Sequence, residues 1–147
     1  MGSMNRENSG AALLARAFGP LEVQVLEAIW LGGRPATVKD LHASFTPLAY
    51  TTLMTTVDRL HKKGVLCRTK VGRAFLYEAR FARHEMELRL AAQSIEGFLG
   101  AARGRGAIEP LLSCFVDAVS ERDRLLLNDL ERLLKAKRAR LADEESK

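Results

Sequence analysis

A stretch of hydroxyl-bearing side chains between Leu48 and Lys63 is the most unusual chemical feature of this chain. It places threonine at four positions, Thr51, Thr52, Thr55 and Thr56. Threonine is β-branched and only a mediocre helix former, so helix stability alone does not explain the repetition. Its short hydroxyl and methyl groups can contact a base edge or a thymine methyl in a DNA major groove. The residue types therefore favour contact with an external surface.

The spacing of the apolar residues predicts that this stretch is an amphipathic helix. The inward face is predicted to hold Leu53, Thr56, Val57 and Leu60. The opposite face is predicted to hold Thr51, Thr52, Thr55, Asp58, Arg59 and Lys62. A solvated helix that carries threonine by chance is the alternative, because the helix is amphipathic in either case.

The net charge of +5 is concentrated on and behind this helix. Six basic residues and no acid lie between positions 59 and 73, whereas 13 basic and 12 acidic residues follow from position 80. The six are Arg59, Lys62, Lys63, Arg68, Lys70 and Arg73. A local excess of cations indicates a polyanionic partner.

The composition excludes several other classes of protein. With 147 residues, of which 47% are hydrophobic, the chain suits one compact domain or a small domain with an oligomerisation segment. Cys67 and Cys114 are too few for a disulfide framework, which indicates the reducing cytoplasm. No apolar run approaches the roughly 20 residues that cross a bilayer, so we expect no membrane insertion. We also expect no cofactor, metal or catalytic site, because the three histidines are scattered and no nucleophile has a base nearby.

A helix and a tight turn precede the threonine helix. Gly19-Pro20 is predicted to open the first helix and Gly32-Gly33 to end it. A very short strand at 36–38 and a brief helix with Leu41 inward follow, and then a turn at Thr46-Pro47. Two helices joined so tightly form a helix-turn-helix unit.

After Gly64 the pattern changes to the two-residue period of strands. Residues 65–70 and 74–78 predict two strands joined by a turn at Val71-Gly72-Arg73. A basic hairpin directly behind such a helix is typical of the winged helix-turn-helix. The expected fold class is therefore mainly α with a small β-hairpin wing.

The chain is helical again from Phe81. We expect a helix of about 20 residues that ends in the glycine-rich stretch 100–106, a short helix opened by Pro110 and a last helix capped by Ser120. These helices carry more apolar surface than each can bury alone, which predicts a homodimer interface, with packing inside one chain as the alternative. The predicted interface residues are Leu88, Ile95, Leu99, Phe115, Leu127, Leu130 and Leu134.

These patterns divide the chain into four parts. A flexible N-terminus is expected over 1–17 and begins with a cloning remnant at Met1-Gly2-Ser3. A winged-helix DNA-binding domain is expected over 18–79, a helical dimerisation region over 80–142 and a charged tail over 143–147.

Four segments between about Gly19 and Ala79 carry a family resemblance. In order they are GPLEVQVLEAIW, ATVKDLH, LAYTTLMTTVDRLHKKGVL and GRAFLYEA. Together they resemble the BlaI/MecI/CopY family of bacterial winged-helix transcriptional repressors, also called penicillinase repressors. The resemblance implies a cytoplasmic homodimer on a palindromic double-stranded DNA operator. It further implies, as in many members, inactivation by proteolysis that a membrane sensor metalloprotease triggers on detecting β-lactam.

The resemblance also assigns DNA contacts to individual residues. Those facing base edges would be Thr51, Thr52, Met54 and Thr55, with Met54 at the border of the helix face and suited to a thymine methyl. Those facing the DNA backbone would be Arg59, Lys62, Lys70 and Arg73. We also expect DNA-backbone contacts from Thr37, Lys39, Tyr50 and Lys63. Copper-responsive members resemble each other in C-terminal Cys-x-Cys motifs, which are absent here, so copper sensing is not expected.

Two questions stay open at this point. Cys114-Phe115 occupies the region where β-lactam-responsive members are cut, but cysteine replaces the familiar asparagine there, so cleavage is undecided. The alternative function is a protein-interaction module that docks an acidic partner through the winged fold. Such a module would pair through a C-terminal coiled coil and would not read DNA.

Overall fold

The computed structural model describes residues 3–147, with side chains from residue 9 onward. Met1 and Gly2, predicted to belong to a cloning remnant, lie outside the described residues. The described chain runs α1 (Ser3–Ala17), α2 (Pro20–Gly32), α3 (Val38–His42), α4 (Tyr50–Lys62), β1 (Leu66–Val71), β2 (Ala74–Ala79), α5 (Arg83–Ala101), α6 (Arg105–Arg122) and α7 (Leu125–Glu145). The predicted fold class, mainly α with one β-hairpin, is confirmed.

The chain forms two compact units that divide after Ile95, within α5. The sequence predicts a division after residue 79 instead. The difference arises because the first half of α5 packs with the winged unit, where Met86 is only 3% exposed. A contact between distant parts of the chain thus moves the boundary.

The core of the first unit holds the inward face of α4. Leu53, Val57 and Leu60 are fully buried, and Thr56 is buried beside them, as the spacing predicts. Thr56 is accommodated because its hydroxyl donates a 2.9 Å hydrogen bond to the Thr52 carbonyl. The rest of this core is Leu14, Phe18, Val25, Leu26, Ile29, Val38, Leu41, Val65, Leu66, Tyr77 and Met86.

Helix α1 is the main departure from the sequence prediction. The expected flexible N-terminus is wrong over the described residues, because Ser3–Ala17 is helical. Leu14 is fully buried and Phe18 nearly so. A helix of 15 residues is marginal in water by itself, so burial of its apolar side chains against the core is what stabilises α1.

The short elements before α4 follow their predicted signals. Gly33, at φ 65°, ends α2 in the left-handed conformation that glycine adopts without strain. Thr37 caps α3, accepting a 3.1 Å hydrogen bond from the Asp40 N–H, while the Thr37 N–H donates to Asp40 Oδ2 at 2.9 Å. The strand predicted at 36–38 is only a single bridge between Ala36 and Tyr77.

The hairpin is an antiparallel pair of strands, in which Leu66 lies opposite Ala79 and Val71 lies opposite Ala74. Its turn is the two residues Gly72-Arg73, and Gly72 has φ 63°. A tight hairpin turn requires positive φ, which glycine supplies. The predicted wing is therefore confirmed.

The predicted starts of the last two helices are wrong. Helix α6 begins at Arg105 and carries Pro110 inside it. Ser120 also lies within α6, and its hydroxyl donates to the Asp117 carbonyl at 2.8 Å. The carboxylate of Asp123 instead accepts a 2.8 Å hydrogen bond from the Leu125 N–H, because Asp123 directly follows the end of α6. Helix α7 continues to Glu145, into the predicted tail.

Among residues 3–147, no helix combines the length and apolar character that spanning a bilayer requires.

Candidate nucleic-acid interface

The side of α4 opposite the core presents the residues predicted to read bases. Thr51, Thr52 and Thr55 are exposed, and Met54 beside them is 46% exposed. They are held outward because the other side of the same helix is locked in the core. The structure therefore brings all four onto one accessible surface.

The hydroxyl of Thr55 has a defined hydrogen-bonding role. It donates a 2.9 Å hydrogen bond to the Thr51 carbonyl one turn earlier. With its proton engaged, the oxygen offers lone pairs outward and acts as an acceptor. In a major groove, an acceptor pairs with the amino group of adenine or cytosine.

The turn that leads into α4 is fixed by His42. Its Nε2 donates a 2.6 Å hydrogen bond to the Leu48 carbonyl. Its ring also meets the Tyr50 ring edge-on, with 5.6 Å between centroids. Tyr50, predicted to contact the DNA backbone, is thereby held partly exposed at the start of α4.

Thr37 and Lys39, the two residues near α3 that are predicted to contact the DNA backbone, differ in their surroundings. Lys39 is exposed. The Thr37 hydroxyl is already engaged as the α3 cap. Hydrogen bonding from the backbone N–H of Thr37 holds the pKa of Asp40 below its usual range, with the Thr37 hydroxyl contributing in the same direction.

The cations at the end of α4 also differ in their partners. Arg59 is exposed. Lys62 Nζ lies 2.9 Å from Asp58 Oδ2, and the Lys62 side chain is mostly exposed. Lys63 Nζ instead contacts the Glu22 carboxylate and lies over the Phe18 ring, 5.4 Å from its centroid. Lys62 is thus the more available of the two lysines.

Asp58 and Arg68 are residues whose contacts the sequence prediction missed. Asp58 Oδ1 lies 3.6 Å from Arg68 Nη1, and the Arg68 guanidinium lies 4.4 Å from the Phe75 ring centroid. The hydrogen bond from Lys62 holds the pKa of Asp58 below its usual range. The Lys62 pair could have been found from its i, i+4 spacing. The Arg68 contacts join separate elements and leave no local signal.

The wing carries the last two predicted backbone contacts. Lys70 lies near the end of β1 and Arg73 in the turn, and both are exposed. The hairpin register holds them at the tip, beyond the buried base of the hairpin. They can therefore reach a polyanion without disturbing the core.

The predicted dimerisation residues keep much of their apolar surface accessible. Within the described residues, no side chain of α6 or α7 is buried. The exposed members of the predicted set are Leu88, Ile95, Leu99, Phe115 and Leu134, and the half-buried ones are Leu127 and Leu130. Pairing of α6 with α7 inside one chain therefore does not bury these helices.

The structure shows no metal-binding constellation in the part of the chain that it describes. No group of three or more His, Cys, Asp or Glu side chains there is placed to hold a metal ion. Both cysteines are free thiols, with Cys67 half-buried and Cys114 exposed.

Comparison with known proteins gives sequence matches over most of the chain. A family model described as penicillinase repressor matches residues 18–136. Two proteins from Mycobacterium tuberculosis strains, each named transcriptional regulator BlaI, are 32% identical over 105 residues. These alignments cover 69% of this chain and 73% of each relative.

Solved structures give a looser similarity. MepR, a transcription regulator of the Staphylococcus aureus multidrug efflux pump MepA, has a TM-score of 0.46 at 11% identity, covering 80% of this chain and 89% of that chain. A MarR family protein from Bacillus stearothermophilus has a TM-score of 0.44 at 17% identity, covering 82% of this chain and 86% of that chain. The family assignment rests on the sequence matches alone. By these matches the chain belongs to the penicillinase repressor family, a family of transcriptional repressors and not of enzymes.

Proposed function

We propose that this protein is a homodimeric repressor that binds a palindromic DNA operator through α4 and thereby blocks transcription. The observation that carries the proposal is the outward row of small polar side chains on a helix whose opposite side is fully anchored. A helix with such a surface can enter a major groove closely enough for its side chains to reach base edges. Membership of a repressor family supports the same function.

Sequence reading is assigned to the four residues of this outward surface. Thr55 would accept from an adenine or cytosine amino group, because its proton is engaged by the Thr51 carbonyl. Met54 would contact a thymine methyl. Thr51 and Thr52 would contact neighbouring base edges. These roles agree with the exposure of all four side chains.

Positioning on the duplex is assigned to residues around this surface. We expect the larger contributions from exposed side chains: Lys39, Tyr50, Arg59, Lys62, Lys70 and Arg73. The Thr37 hydroxyl is engaged as the α3 cap, and Lys63 is less exposed than Lys62 and pairs with the largely buried Glu22 carboxylate, so we expect Thr37 and Lys63 to contribute less. Contacts to phosphate fix the register of a protein on DNA, whereas contacts to base edges specify sequence.

A second copy of the chain is proposed to cover the exposed apolar surface of the C-terminal helices. Phe115 and Leu134 each leave about half of their surface open in the single chain. A two-fold dimer would present two copies of α4 to half-sites about one helical turn apart. Dimerisation would cover the exposed apolar side chains and would call for an operator with matching two-fold symmetry.

Release of the operator is proposed to follow proteolysis in the dimerisation region, downstream of a membrane sensor metalloprotease. The candidate position is Cys114-Phe115, by resemblance to the family. Both residues lie inside α6 and are exposed. Proteases favour irregular or locally opened backbone, so we expect cleavage there to require local unfolding of α6.

The proposal is tested by measuring mass and DNA binding on the full chain. Light scattering coupled to size exclusion should give a dimer. Fluorescence anisotropy should show tighter, salt-dependent binding to DNA from upstream of its own gene than to a scrambled duplex of equal length. Equal affinity for both duplexes, or no binding to either by a dimeric protein, would favour the interaction module instead.

A further inference from the structure

We infer that Asp58 is an internal counter-ion that competes with DNA phosphate for Lys62 and Arg68 and so limits sequence-independent binding to DNA. This inference rests on the proposed DNA-binding function. Asp58 would then be an acidic residue that acts on the proposed DNA-binding surface, where the contacts to the DNA backbone assigned above are made mostly by cations.

The geometry engages both oxygens of the Asp58 carboxylate. Oδ2 lies 2.9 Å from Lys62 Nζ, and Oδ1 lies 3.6 Å from Arg68 Nη1. All three side chains are accessible to solvent: 38% of the surface is exposed for Asp58, 74% for Lys62 and 33% for Arg68. A ligand approaching this surface can therefore reach the cations and the carboxylate together.

Asp58 stands in line with the threonines proposed to read bases. Thr51, Thr55, Asp58 and Lys62 are spaced by four, three and four residues, which places them along one side of α4. Any duplex that contacts Thr51 and Thr55 therefore comes close to the carboxylate as well. Asp58 is also the sole acidic residue in the sequence of α4, so no other part of the helix supplies this negative charge.

The carboxylate reduces what the two cations can offer to DNA. With Asp58 ionised, the group of three carries one net positive charge instead of two. Binding to random DNA is driven by cations that neutralise phosphates and release counter-ions. A phosphate that pairs with Lys62 or Arg68 must displace the carboxylate or share the cation with it. Removing the negative charge should therefore strengthen binding to any duplex.

Arg68 is restrained by a second contact, which separates the roles of the two cations. Its guanidinium stacks on Phe75 as well as pairing with Asp58. Within the described residues, Lys62 forms its one ion pair with Asp58, and its side chain is more exposed than that of Arg68. We therefore expect most of the effect of Asp58 to pass through Lys62.

The test is the substitution Asp58→Asn, measured by anisotropy on random duplex over a range of salt concentrations. We expect random DNA to bind about threefold to tenfold more tightly, and the salt slope to steepen by about 0.9, the value of one additional neutralised phosphate. Asp129→Asn is the matched control, because Asp129 pairs with Arg132 at 3.1 Å on α7 and its loss changes the net charge equally. The control should leave affinity and slope nearly unchanged.

Two further variants distinguish competition from other roles of Asp58. Asp58→Glu keeps the charge and should bind random DNA like the unaltered protein. In protein that carries Lys62→Gln, Asp58→Asn should raise the logarithm of the association constant for random DNA by less than half as much as it does when Lys62 is present. The reason is that the main cation paired with Asp58 is then missing. Unfolding curves of each variant confirm that it is folded.

The outcomes separate this inference from the proposed function. If the unaltered protein binds no DNA, the proposed function fails. If it binds DNA but Asp58→Asn matches Asp129→Asn, only the role of Asp58 fails. Selective loss of operator binding in Asp58→Asn, with random DNA unaffected, would overturn the inference by showing that Asp58 reads a base.

Discussion

The ammonium group of Lys63 lies 3.0 Å from Oε1 and 2.9 Å from Oε2 of Glu22 and so joins the end of α4 to the first turn of α2. Glu22 Oε1 also accepts a 3.0 Å hydrogen bond from the Gly19 N–H. The Glu22 side chain is only 12% exposed, so this pair is shielded from water better than an ordinary surface ion pair. The contact fixes one end of the proposed recognition helix against the core.

Breaking this pair should destabilise the protein. We expect Glu22→Gln to lower the free energy of unfolding by about 1 to 3 kcal/mol, because it removes the negative charge that strengthens the hydrogen bonds from Gly19 and Lys63 to this largely buried side chain. Urea denaturation measures the change. Glu131→Gln is the control, since Glu131 pairs with Lys135 at 3.2 Å where both side chains are mostly exposed. The control should change stability by no more than about 0.5 kcal/mol. Equal losses would mean that the Glu22 pair is an ordinary surface pair.

Stability should also fall with acid through Glu22. Burial alone would raise the pKa of Glu22, but the Gly19 hydrogen bond and the charge of Lys63 outweigh it, and the net pKa is below the ordinary 4.5. A carboxyl with a lowered pKa in the folded state stabilises the fold above 4.5 and loses that contribution as pH falls through the lowered value. The difference in free energy of unfolding between the unaltered protein and Glu22→Gln should therefore become smaller below about pH 4.5. A difference that does not change with pH would exclude a contribution of Glu22 ionisation to stability.

Removing a threonine from the outward surface of α4 should affect operator binding selectively. We expect Thr55→Ala and Thr52→Ala each to weaken operator binding by about 1 to 3 kcal/mol and to leave random DNA nearly unaffected. Ser94→Ala is a matched control, because Ser94 lies at an exposed position of α5 and its hydroxyl also donates to a carbonyl four residues earlier. Equal losses on operator and random DNA would refute base reading by these threonines.

A substitution in the wing should weaken binding to all DNA sequences to a similar extent. We expect Lys70→Ala to weaken binding to operator and random DNA by similar factors and to reduce the salt slope by about 0.9. Lys137→Ala, an exposed lysine of α7, removes the same charge outside the proposed surface. An unchanged salt slope for Lys70→Ala would place the wing away from phosphate.

A charge placed in the proposed dimer interface should dissociate the dimer. We expect Leu134→Asp to raise the dimer dissociation constant by at least about 30-fold, because it replaces a leucine that the proposed dimer would bury, at a cost of about 2 kcal/mol or more. Sedimentation equilibrium gives this constant. Leu31→Asp is the control, since Leu31 on α2 is 90% exposed and lies outside the predicted interface. Dissociation by both variants, or by neither, would argue against this interface.

The amino-acid sequence by itself determined the elements around the proposed DNA-binding surface. The alternation of buried and exposed positions in α4 follows from helical periodicity, and Gly72 marks the hairpin turn because the turn needs positive φ. The motifs between about Gly19 and Ala79 sufficed to indicate the family that the sequence matches show. These features are local, so a linear pattern reveals them.

Tertiary structure alone decided the features that join distant parts of the chain. Helix α1 was not predicted, because the burial of Leu14 that stabilises it depends on a core contributed by later elements. Glu22 meets Lys63 across 41 positions, and Asp58 meets Arg68 of the hairpin. Such pairs form only when packing brings separate elements together, since neither partner leaves a periodic or local signal in the sequence. They determine which of the cations near α4 already have a partner and which stay available.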